Sequence, residues 1–129
     1  MANEKQQSMK DFTAEIRHKL ETDERWMLVG MLTIHKFQTY DERKQMDTTL
    51  NNGVGFSGAD GNVMSRLIKW LRNTKGQTEA SIRANQNVKL ADFYDDWAIK
   101  IIRKKMPRYA GQLAKISRGI IKPEDAYDK

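Results

Sequence analysis

Three observations predict an all-α fold for this chain. Apolar residues recur at steps of three and four and rarely alternate. Only two prolines, Pro107 and Pro123, interrupt 129 residues. Serine, glycine and proline fall where helices would start and stop. One helical domain of about five helices accounts for residues 1–129, with 1–7 and 124–129 expected to be flexible ends.

The first helix carries Met9, Phe12, Ile16 and Leu20 on one face, behind Ser8, whose hydroxyl suits an N-cap, with Asp11 three residues on. The second starts near Asp23 and holds Trp26, Met27, Val29, Met31, Leu32, Ile34, Phe37 and Tyr40. Those residues go most of the way round the helix, which marks it as the most buried one. Polar residues follow from Asp41 to Asn52.

Ser57-Gly-Ala-Asp60 has the pattern of a capping box opening a third helix. The serine hydroxyl would accept from the Asp60 N–H, and the Asp60 carboxylate from the Ser57 N–H. Val63, Met64, Leu67, Ile68, Trp70 and Leu71 form its apolar face, Arg66, Lys69 and Arg72 lie opposite, and Gly76 stops it. Gln77 to Lys89 is expected to be mainly a polar connector. A fourth helix sets Leu90, Phe93, Tyr94, Trp97 and Ile101 on one stripe, with Asp92, Asp96, Lys100 and Arg103 opposite. Pro107 breaks it and suits the first turn of a fifth helix. That helix carries Tyr109, Leu113, Ile116 and Ile120, and Gly119 and Pro123 end it.

Hydrophobic residues make up only 39% of the chain, but three Trp, four Phe, four Tyr and seven Met are enough for a modest core. The chain contains no cysteine, which removes disulfides, thiolate metal sites and cysteine nucleophiles and fits a cytoplasmic protein. The polar N-terminus lacks the apolar stretch of a signal peptide. The longest uncharged apolar run, Trp26 to His35, is about half a membrane span.

Charge is the most informative property of this sequence. Lys100 to Lys122 holds eight bases, Lys100, Arg103, Lys104, Lys105, Arg108, Lys115, Arg118 and Lys122, and no acid. Removing these eight from the 23 Lys and Arg leaves 15 against 17 Asp and Glu, so the remainder nets −2. A positive stretch that separates this cleanly, with Tyr109 inside it, fits a surface that meets a polyanion. Part of the pattern has a structural origin, since cations favour the C-terminal turn of a helix. Arg108, at the start of the next helix, opposes the dipole and lacks that explanation. Arg66, Lys69 and Arg72 extend the basic surface, and Tyr109 or Trp70 would stack on a base if exposed.

Gly53-Val-Gly-Phe-Ser-Gly58 matches GxGxxG, but no strand precedes it, so a dinucleotide fold is not implied. Two readings remain: a turn that tucks Phe56 under the next helix, and a phosphate cradle of Gly53, Gly55, Ser57 and Gly58 at a helix N-terminus. His18 and His35 have no histidine or cysteine at ligand spacing. The adjacent acids Asp95 and Asp96 point about 100° apart on a helix. No catalytic residue, metal site or cofactor is indicated.

Two stretches carry a resemblance. Asn52-Gly-Val-Gly-Phe-Ser-Gly-Ala-Asp60 resembles the NGxGFNxxDA pattern of small uncharacterised proteins of phages, plasmids and integrative elements. Ile101-Ile-Arg-Lys-Lys-Met-Pro-Arg-Tyr-Ala-Gly-Gln-Leu113 is similar to their ARKKLxKYAxQL ending. Gly76 to Asp92 is longer than the family's link and lacks its GxxLTxKQ sequence. The resemblance implies a setting in mobile-element DNA metabolism or in defence against the host.

The expectation is therefore a small, basic, cytoplasmic accessory protein of a mobile element that is not an enzyme. It would bind nucleic acid, DNA in the first instance, non-specifically through Lys100 to Lys122. The alternative is a protein-binding inhibitor or adaptor whose basic face docks on an acidic partner. An unused apolar stripe would let two copies pair.

Overall fold

The computed structural model describes residues 8–45 and 55–118, and these contain helices and turns but no strand. Expectations for 1–7, 46–52, Gly53, Gly119, Ile120, Lys122, Pro123 and 124–129 concern residues outside that range. The helices are α1 (Met9–Thr22), α2 (Glu24–Gln45), α3 (Gly58–Lys69), α4 (Glu79–Ala84), α5 (Asp96–Lys105) and α6 (Ala110–Ser117). Five of them have eight residues or more, and together they build one all-α domain.

α1 starts as its sequence predicts: Ser8 is extended and its hydroxyl accepts from the Asp11 N–H at 3.1 Å. Asp23 separates α1 from α2 and caps the second helix, its carboxylate accepting from the Arg25 N–H at 2.9 Å. α2 runs through the core, with Met27, Leu28, Met31 and Ile34 fully buried. Gly30 lets the C-terminal elements come close: a Cβ there would stand 3.0 Å from Leu113 Cδ1 and from Met106 Cε. α1 and α6, the first and last helices described, pack against each other. None of the described helices is long and apolar enough to cross a membrane.

Three elements differ from the sequence expectation. α3 does not end as an α-helix; it runs into a π turn, Trp70–Thr74, before Gly76 (φ +65°) stops it. The supposed connector contains α4. There Thr78 and Ser81 cap each other reciprocally, Ile82 is fully buried, and Lys36 pairs with Glu79 at 3.3 Å. The single stripe assigned to a fourth helix is split. Leu90–Asp92 forms a 3₁₀ turn, Asp95 is extended as the N-cap of α5, and the helix begins only at Asp96. Pro107 sits in a 3₁₀ turn, Met106–Tyr109, that passes directly from α5 into α6.

Candidate nucleic-acid interface

The 3₁₀ turn after α5 and the first turn of α3 meet at a buried carboxylate. Asp60 is 1% exposed. Its Oδ2 accepts from the Tyr109 hydroxyl at 2.6 Å. Its Oδ1 pairs with the Lys105 ammonium at 2.7 Å. Arg108 stands 4.0 Å from Oδ2. Burial alone would raise the Asp60 pKa; the Lys105 and Tyr109 contacts, the Lys105 charge and the Ser57 hydroxyl outweigh it and hold the carboxyl below its usual range. Burial, then the bond to Asp60, pushes the Tyr109 phenol up.

This geometry replaces the expected capping box. The Ser57 side chain makes no capping bond to α3, and the Ser57 N–H donates to the Tyr109 hydroxyl at 3.1 Å. That hydroxyl in turn donates to Asp60. A tyrosine from 49 residues away thus occupies the place where carboxylate and N–H would have met. The Tyr109 ring is 5% exposed and meets Phe56 edge-on at 5.1 Å, so it is core and not a base-stacking surface.

The same contacts bear on the supposed phosphate cradle. The Gln112 amide grips the Gly55 peptide twice: Oε1 accepts from the Gly55 N–H at 2.9 Å and Nε2 donates to the Gly55 C=O at 2.9 Å. The Gly55 and Ser57 amides are thus satisfied internally, and Asp60 places a buried carboxylate at the start of α3. Gly58 is exposed, and Gly53 lies outside the described residues. The structure also brings together the two stretches that carried the resemblance. Gly55, Phe56, Ser57 and Asp60 from the first contact Lys105, Arg108, Tyr109 and Gln112 from the second.

The basic residues fall into two groups. Arg103 pairs with Glu24, whose other oxygen accepts from the Leu90 N–H at 2.7 Å. Lys105 and Arg108 face Asp60, and Arg118 lies over the Phe12 ring at 4.3 Å. Arg103, Lys105 and Arg118 are engaged by the fold, whereas Arg108 is 56% exposed and reaches Asp60 only at 4.0 Å. Lys100, Lys104 and Lys115 on α5 and α6, and Arg66, Lys69 and Arg72 on or just after α3, are exposed and pair with nothing among the described residues. Lys122 lies outside the described residues.

An open groove of about 520 Å³ lies between the end of α3 and the start of α5. Buried Leu67, Tyr94 and Ala98 form its floor, and Arg66, Lys69, Asn73, Asp95 and the rings of Trp70 and Trp97 line it. The Tyr94 hydroxyl donates to the Leu67 C=O at 2.6 Å and locks the floor. Trp70, 44% exposed, donates its indole N–H to the Phe93 C=O at 2.8 Å. Trp97 is 59% exposed, the most exposed large apolar side chain described. Sequence reasoning put Trp97 on one stripe with Leu90, Phe93, Tyr94 and Ile101 because it extended one helix through Tyr94 and Asp95. Read as N-cap and first-turn acid, Asp95-Asp96 would have restarted the phase and turned Trp97 outward.

Among the described residues no three His, Cys, Asp or Glu side chains gather as metal ligands. Comparison with protein-family models, curated proteins and solved structures returned no match.

Proposed function

We propose that this protein binds nucleic acid through the phosphate backbone, without reading sequence, as an accessory protein of a mobile genetic element. The observation that carries the reading is the set of exposed, unpaired cations on two packed helices: Arg66 and Lys69 on α3, and Lys100 and Lys104 on α5. A cation with no internal partner gives up nothing when it meets a phosphate, and it releases the counterions condensed there. Arg103, Lys105 and Arg118, which the fold engages, contribute long-range field more than contacts. The mobile-element setting rests on the resemblance of residues 52–60 and 101–113.

The test is fluorescence anisotropy of labelled DNA and RNA at about 50 and 200 mM salt, a range over which six phosphate contacts lose roughly a thousandfold in affinity. Binding with that slope, lost in an Arg66→Glu, Lys69→Glu, Lys104→Glu triple variant, supports the reading; no binding at low salt refutes it. The exposed Trp70 and Trp97 favour a second reading, a module that docks on an acidic protein. In that case one indole would dominate affinity and salt would matter little.

A further inference from the structure

We infer that the Trp70–Trp97 groove is a site for an unpaired polynucleotide strand, with Trp97 as the stacking platform for a base. The inference rests on the nucleic-acid reading above and specifies which form of nucleic acid the site takes. The ring of Trp97 makes no aromatic or cation contact among the described residues, and the residue is 59% exposed. A large indole left in water on a helix packed elsewhere by Ala98 and Ile102 contributes little to the core. Trp70 differs, because the Lys75 ammonium sits 5.4 Å from its ring centre and its N–H is tied to Phe93. Trp70 therefore acts as a fixed wall, while Trp97 is the free surface.

Charge complementarity chooses the occupant. Arg66 and Lys69 line the groove itself. Lys100 and Lys104 follow Trp97 by three and seven residues on α5, which places them on the same face of the helix. The single acid in the lining, Asp95, sits at the N-terminal end of α5, away from Lys104. An aromatic platform followed along one helix face by cations is the arrangement that single strands use, bases on rings and phosphates on cations. A duplex keeps its bases stacked on one another and offers the indole nothing. Stacking and phosphate pairing read neither sugar, so DNA and RNA strands should bind alike.

The experiment is anisotropy of the full chain with a labelled pyrimidine dodecamer, as DNA and as RNA, against a hairpin duplex of the same charge. The expected result is tighter binding of both strands than of the duplex. Trp97→Ala should weaken strand binding about fivefold to a hundredfold while leaving duplex binding unchanged, and Trp97→Phe, which keeps a ring, should restore most of it. Circular dichroism melts of both variants should match the parent, since Trp97 is exposed. Equal binding of strand and duplex, or strand binding indifferent to Trp97→Ala, overturns the groove assignment and leaves the backbone-contact reading standing. Failure of strands and duplex alike at low salt overturns both.

Discussion

The Tyr109 hydroxyl stands between Asp60 Oδ2, to which it donates at 2.6 Å, and the Ser57 N–H, from which it accepts at 3.1 Å. One phenol thus satisfies a buried carboxylate and an orphan donor at a helix N-terminus together. The cluster is a structural joint between the start of α3 and the turn that precedes α6.

Removing that oxygen should be costly. Tyr109→Phe keeps the ring against Phe56 but leaves the Ser57 N–H and Asp60 Oδ2 short of a partner, which costs about 1–3 kcal/mol. Lys105→Met should cost more, about 3 kcal/mol, because it leaves a buried charge unpaired. Arg108→Ala should be nearly silent, since Arg108 is 56% exposed and 4.0 Å away. Urea denaturation of the three variants checks the order.

Asp60 also predicts how stability follows pH. Its folded pKa lies below the ordinary 3.8, so as pH falls the unfolded chain takes up the proton first. The stabilisation it supplies is present above that ordinary value and is lost as pH falls through the depressed one. The stability gap between parent and Asp60→Asn should therefore be constant at neutral pH and close only in acid below 3.8. Tyr94 and Tyr109 act in the opposite sense. Their raised values make stability fall as pH climbs above the ordinary phenol value of 10.0. Thermal melts across the two ranges test both signs.

Charge reversal should separate structural from binding cations. Lys104→Glu should leave the melting temperature within a degree or two and reduce the salt slope of nucleic-acid binding by about one phosphate contact. Arg103→Glu sets a carboxylate against Glu24 and should lower stability by about 1–3 kcal/mol through loss of the charge-assisted pair. Parallel melts and salt titrations of the two variants would show the division.

The short helix α4 should prove part of the core. Ile82→Ala removes a fully buried side chain and should cost about 2–5 kcal/mol. Its neighbour Ser81→Ala breaks the reciprocal cap with Thr78 and should cost about 1 kcal/mol. Calorimetry of the two variants is sufficient.

The sequence made the helical class and α1, α2 and most of α3 legible, because Ile16, Leu20, Met27, Met31, Met64 and Ile68 repeat over several turns. It concealed α4, where six residues hold one buried side chain, Ile82, too few for a period to show. It misplaced Trp97 because Leu90, Phe93, Tyr94 and Trp97 keep helical spacing across a chain that enters the α-helix only at Asp96. The basic residues were visible as charge. Their engagement was not, because Glu24 and Asp60, which hold Arg103 and Lys105, lie 79 and 45 positions away in sequence. The Ser57–Asp60 box failed for the same reason, a tyrosine arriving from another part of the chain.

The joint at Asp60 also bears on how the protein comes off the ribosome. α3 cannot bury its first turn until residues 105 to 112 exist to neutralise Asp60 and hold Gly55. α1 can meet α2 at once, but its contact with α6 forms only when that helix is made. A nascent fragment that stops before Lys105 therefore lacks the groups that close the start of α3, although α1, α2 and α4 can already meet. Closing the joint is thus a late step of folding, set by contacts 49 and 57 positions apart in sequence.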